Sequence, residues 1–174
     1  MSRLGQPNPA FAGDLGDPDP LVRSAIARAA DSLSYARAVV ALCASRLLMP
    51  IVATGDDGGR TPDPERRAEM AAVSVENAAG ERALLAFTGV DALLAWDRSA
   101  RPVPCTLDDL AATVPEAGAV ALLLDIAGPV PFTIEGEILE ALARGQRLVE
   151  FADGTFGWVS VGLQPGDHPV GTPD

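Results

Sequence analysis

Apolar positions along this chain change their spacing several times, and each change marks an element. Asp19 offers an N-cap and Pro20 a first helical position. Leu21, Val22, Ile26, Ala29, Ala30 and Leu33 then recur at helical spacing, with Arg23 and Arg28 off that face. A second helical run over 35–44 carries Val39, Val40, Leu42 and Cys43. Residues 32–34 either break the two runs or sit inside one long helix. The continuous apolar run RLLMPIVA (46–53) predicts a buried strand, and Pro50 assigns it to an edge or a bulge because it lacks a ladder donor.

A polar loop over 54–67 follows. Residues 70–75 and 82–88 then predict a hairpin around the turn residues 77–80. Thr88 with Asp91 three positions on reads as a helix cap. The helix over 89–96 is expected to bury Val90, Leu93, Leu94 and Trp96. RPVPC (101–105) is extended by its prolines. Thr106 and Asp109 repeat the cap pattern before a helix through about Thr113. AVALLLDI (119–126) is the clearest strand, apolar enough for burial on both faces. Gly128, Pro129 and Pro131 turn the chain into a short strand at 132–134, and a helix over 135–144 ends at Gly145. Residues 147–152 and 155–161 flank Asp153-Gly154, a second hairpin signal.

Strands alternate with helices, but hairpins interrupt the alternation. The expected fold class is therefore α+β (mixed α/β), a mixed sheet with helices packed on it, in a single domain. The domain is expected over 19–162, between a flexible Gly/Pro-rich arm at 1–18 and a disordered tail at 163–174.

Composition narrows the function more than the fold. The chain has 174 residues, 48% of them hydrophobic, enough for a real core. Aromatics are only 5%, so Ala, Leu and Val must build that core. No apolar run reaches the ~18 residues that span a bilayer, and MSRLGQPNPAF lacks the apolar region of a secretory signal. The expected compartment is the cytoplasm. The net charge of −11 repels phosphate backbones and anionic lipid, so neither nucleic acid nor membrane is an expected partner. All 13 basic residues are Arg. The absence of Lys excludes a Walker A loop and a Schiff-base nucleophile.

Catalytic residue types are sparse. The single histidine, His168, lies in the C-terminal tail, where no packed neighbours hold an imidazole for a triad. Cys43 and Cys105 form no CxxC pair and read as core residues, with a reactive thiol at Cys105 as the alternative. Asp14, Asp17 and Asp19, and separately Asp56, Asp57, Asp63 and Glu65, read as solvated loop charge rather than metal ligands. No catalytic residue, metal ligand or cofactor is assigned. Asp125 stands out, because it ends an apolar strand beside a Gly/Pro turn, a frequent ligand position in α/β sheets. Its structural alternative is to cap that turn. Trp96 reads as core or as a stacking platform, and Arg101 as an anion contact or a surface partner of Asp97.

AFTGVDALLAW (86–96), RLLMPIVA, RPVP (101–104) and LLLDIAGPVPFTI (122–134) together resemble the N-terminal domain family of SseB, the enhanced serine sensitivity protein. The resemblance covers about 19–145. It implies a compact bacterial cytoplasmic domain of mixed α/β structure and carries over no catalytic residue. By motif it marks Phe87, Thr88, Trp96, Arg101, Asp125, Gly128, Pro129 and Pro131 as a candidate binding surface. Gly89 replaces the usual Ser, which is expected to loosen the helix start, and Ile126 replaces a common Pro. A C-terminal extension seen in some members is expected to be absent.

The leading expectation is a non-enzymatic binding or regulatory module with a protein partner. The alternative is an enzyme or sensor for a small polar metabolite, serine or a relative, acting through Asp125 and an Arg. A structural dimer is a third reading, since the sequence does not fix an oligomeric state.

Overall fold

The computed structural model describes residues 11–52 and 72–160. The loop at 54–67 with its acidic cluster, the strand start at Met70, His168 and the C-terminal tail lie outside the described residues.

Two short helices open the chain. Asp19 accepts from the Leu21 N–H at 2.8 Å and starts α1 (Pro20–Ala27). Arg28 closes it, and Asp31 with Ser34 forms a capping box that starts α2 (Ser32–Cys43). The break therefore falls at 28–31, just before the stretch where it was expected. The helical stripe does not run through it. Val22 and Ile26 are buried, whereas Leu21 and Leu33 face solvent.

The RLLMPIVA run forms β1 (Leu47–Ile51), antiparallel to β4 (Arg101–Cys105), with Pro50 opposite Pro102. Between them lie β2 (Ser74–Glu76), β3 (Arg82–Ala86) and α3 (Val90–Trp96). Among the described residues the first hairpin strand runs one residue past its expected end, to Glu76. Asn77 builds its turn by accepting from the Ala79 and Glu81 N–H groups. After β4 come α4 (Leu107–Glu116), β5 (Ala121–Leu124), β6 (Phe132–Glu135), α5 (Gly136–Ala143), β7 (Gln146–Glu150) and β8 (Phe156–Ser160). The Thr106–Asp109 capping box forms as expected, but α4 runs on past Thr113 through Pro115.

The central sheet has the order β2-β3-β5-β6. β3 and β5 run parallel with Leu84 beside Leu122, and the outer strands are antiparallel to them. This mixed sheet with its helices makes a single α+β domain.

Alternation sorts the strand residues into two cores. Leu84, Ala86, Leu122, Leu124, Phe132 and Ile134 pack with α1, α2, α4 and α5, joined by Leu47, Met49 and Ile51 of β1. Leu85 and Phe87 pack on the other side with Leu48, Ala92, Leu93 and Ala100. Leu123, on that second side, is half-buried, so β5 is covered on both faces as its apolar run implied. β1 is stitched to the central sheet where Leu48 and Phe87 exchange two backbone hydrogen bonds of 2.8 Å.

The β7–β8 hairpin inserts Leu148 into the larger core. It is fastened by Arg37–Glu150 at 2.7 Å and Arg147–Asp108 at 2.9 Å. No helix among the described residues is long and apolar enough to cross a membrane.

Candidate functional site: the Asp125 turn

The chain leaves β5 through Asp125, whose φ of +52° lies in the left-handed region that Asp tolerates better than most residues. The backbone there is held on both sides. The Asp125 N–H donates to the Ala86 carbonyl at 3.0 Å, and its carbonyl accepts from the Gly128 N–H at 2.8 Å. Gly128 must be glycine in this arrangement, because a Cβ there would sit 2.8 Å from Asp125 Cβ and 3.2 Å from Ala92 Cβ.

The Asp125 side chain is 1% exposed and fully engaged. Oδ1 accepts from the Thr88 N–H at 2.8 Å, and Oδ2 accepts from Thr88 Oγ1 at 2.5 Å. Burial pushes the carboxyl above its ordinary range, against the pull of the Thr88 bonds and the Arg23 charge. Asp125 therefore does not cap its own turn. It ties that turn to the end of β3.

Thr88 does not cap α3 either. Gly89 is the N-cap, and no side chain serves it. The Thr88 hydroxyl donates to Asp125 and accepts from Arg23 Nε at 3.1 Å. Arg23 then grips Asp91 with both terminal nitrogens, each contact 2.6 Å. That bond holds Asp91 below the usual carboxylate range and raises Arg23 further.

A second arginine closes the other side. Arg46 Nε donates to Asp14 at 2.5 Å, and its terminal nitrogens reach the carbonyls of Asp17 and Thr88. The Val90 N–H donates to Gly16, at 2.8 Å. Residues 14–18, expected in the arm, are thus fastened across the start of α3. Asp14, one of the three carboxylates of the first acidic cluster, serves Arg46 rather than solvent alone.

Beside this assembly lies a groove of about 310 Å³ between α1 and the β5–β6 turn. Ile26, Ala27, Pro129 and Val130 line it, together with Arg23, Ser24 and Asp125.

The candidate residues therefore fall into separate places. Thr88, Asp125, Gly128 and Pro129 come together, but the first two are buried and form no surface. Pro131 is exposed at the end of the same turn. Trp96 is half-buried against Phe87, ring centroids 5.6 Å apart, in the smaller core. Val90 is half-buried too, and Leu94 is exposed, so α3 buries chiefly Ala92 and Leu93. Arg101 begins β4, exposed and opposite Ile51. Its expected partner Asp97 instead accepts from Ser99. Arg23, Arg46 and Asp91 were not among the candidates. The only hint was the Thr88–Asp91 spacing, which one sequence ties to no arginine.

Both cysteines are free and buried. Burial pushes the Cys105 thiol up to about 12, and its Sγ faces the Leu47 carbonyl at 3.7 Å. A thiol in that state is a packing group. No group of three or more His, Cys, Asp or Glu side chains converges among the described residues.

Fold and site together define an α+β domain with a mixed central sheet and an internally tied acidic turn beside an apolar groove. The chain belongs to the SseB protein N-terminal domain family, which it matches over residues 22–141. No curated protein and no solved structure matches it. The matched span takes in both halves of the Asp125 assembly and ends before β7.

Proposed function

We propose that this chain is a non-enzymatic binding module of the bacterial cytoplasm, docking a segment of a protein partner in the groove between α1 and the β5–β6 turn. One observation carries the reading. The buried carboxylate at the groove has both oxygens committed to Thr88, while the walls beside it are Ile26, Ala27, Pro129 and Val130. A carboxylate that is 1% exposed, with both oxygens turned to Thr88, presents no open face to a substrate proton, and apolar walls reward apolar side chains rather than a free amino acid.

The test places a photo-crosslinking amino acid at Val130 or Ala27, both exposed, with a control at the exposed Glu116. The expected result is one protein captured from both groove positions, absent from the control, and lost when Ala27→Arg fills the groove. Equal capture from all three positions would sink the docking reading. A thermal-shift series with L-serine and related metabolites addresses the alternative. A true ligand at 100 times its Kd adds ~2.7 kcal/mol, and such a gain would make the chain a metabolite sensor or enzyme instead.

A further inference from the structure

The sheets of this domain end in strands that differ in how they meet solvent. β2 covers three residues and ends on Glu76. β6 carries Glu135, and the Tyr35 hydroxyl donates to its Thr133 carbonyl at 2.8 Å. β4 is closed by proline. Leu48 spends its N–H and carbonyl on Phe87, so its partner Pro104 also turns its backbone away from β1. Pro102, two residues along, faces the same way. The outer rim of β4 thus lacks two donors, a recognised guard against strand addition.

β8 has no such guard. The Phe151 N–H donates to the Thr155 carbonyl at 2.8 Å. By the antiparallel alternation, Gly157 and Val159 then bond to β7, while Phe156, Trp158 and Ser160 turn their N–H and carbonyl groups outward. The strand FGWVS contains neither charge nor proline. Trp158 is 38% exposed, Val159 40% and the adjoining Phe151 50%. Among the described residues nothing pairs with this rim.

We propose that β8 is a homodimer interface, two copies joining antiparallel about a two-fold axis at Trp158 to make a continuous sheet β7-β8-β8-β7. The outward groups sit symmetrically about residue 158. Trp158 meets its own copy, and Phe156 meets Ser160 in both directions, so every outward donor finds an acceptor. The seam leaves the chain's own charge out of the contact. A chain of net charge −11 repels itself over most approaches. In this register the facing pairs are 158 with 158, 157 with 159 and 156 with 160, and none carries a charge. The charges of β7, Arg147 and Glu150, lie one strand back and are paired within the chain to Asp108 and Arg37. The interface uses none of the groove residues, so it stands or falls apart from the docking reading.

Sedimentation of the full chain over a wide concentration range tests this. The expected result is a concentration-dependent dimer. Ser160→Pro, which removes an outward donor as Pro102 and Pro104 do, and Val159→Lys, which places like charges across the seam, should each weaken it about tenfold or more. Unchanged circular dichroism at low concentration shows that the variants still fold. Amide exchange of the wild type supplies a second reading, with Phe156, Trp158 and Ser160 gaining protection as concentration rises. A monomer at every concentration overturns the proposal, as does a dimer that either variant leaves untouched.

Discussion

Thr88 performs three tasks with one side chain and one N–H. Its N–H and its hydroxyl satisfy the two oxygens of a buried carboxylate, and its oxygen receives Arg23. Thr88→Val keeps the shape but removes a buried partner from both neighbours, and should cost about 1–3 kcal/mol in urea unfolding. Thr88→Ser should recover most of that, and a valine variant as stable as wild type would show the network to be energetically idle. The carboxylates also differ in sign. Asp91, bonded to Arg23, has a folded pKa below its ordinary value. Its stabilisation is therefore complete above about pH 4 and is lost as pH falls through the folded value. Asp125 has a folded pKa above its ordinary value because it is buried, so acidification toward that value favours the folded state. As pH falls from neutral to acid, the wild-type urea midpoint should accordingly fall toward that of Asp91→Asn and rise relative to that of Asp125→Asn. The opposite pattern for Asp125→Asn would mean that its ionised form is the stabilised one. The sequence offered Thr88 and Asp125 as residues worth notice but gave them the wrong partners. Spacing rules see neighbours three or four positions away, whereas these bonds span 37 and 65 positions.

Elements were legible wherever their signal is local. The Thr106 box, the Asn77 turn, the glycine at 145 with φ of +75° and the Asp153-Gly154 hairpin all depend on residues within a turn of one another. The stripe on α1 misled because it was extended past a helix end. Once Arg28 closes α1 and Asp31 restarts the count, Leu33 no longer shares a face with Val22. Gly89 is the instructive departure. It leaves the start of α3 without a side-chain cap, and it also makes room for the chain that crosses it. A Cβ at Gly89 would lie 2.8 Å from Pro18 Cβ, 3.0 Å from Pro18 Cα and 2.7 Å from an Asp91 oxygen. Its φ of −159° is extended, so the demand is for space and not for conformation. Gly89→Ala should therefore cost about 1–3 kcal/mol as overpacking. It should also lift residues 14–18, making the bonds around Asp14 and Gly16 accessible to limited proteolysis. Wild-type stability together with an unchanged cleavage pattern would show that the crossing segment tolerates displacement.

At the scale of the molecule, the fold class could be read and the strand order could not. Continuous apolar runs announce burial, but the parallel pairing of β3 with β5 and the stitching of β1 to Phe87 depend on which surfaces meet after collapse. The β7–β8 hairpin poses the question most sharply, because the family match ends at residue 141 and the hairpin begins at 146. A free two-stranded hairpin is marginal in water. This one places Leu148, 7% exposed, among the residues of the larger core, with Phe156 packed beside it. Its ion pairs reach two different helices, α2 through Arg37 and α4 through Asp108. Those pairs are partly exposed, and each is worth at most about 1 kcal/mol. Burial of Leu148 must therefore supply most of the attachment. Leu148→Ala should lower global stability by about 2–4 kcal/mol, with an unchanged urea m-value, whereas Glu150→Ala should cost under about 1. If the hairpin instead unfolds on its own, Leu148→Ala will strip amide protection from β7 and β8 and leave the global midpoint where it was. That outcome would make the hairpin an attached flap, and the unguarded rim of β8 would then be presented by a mobile element rather than by the folded core.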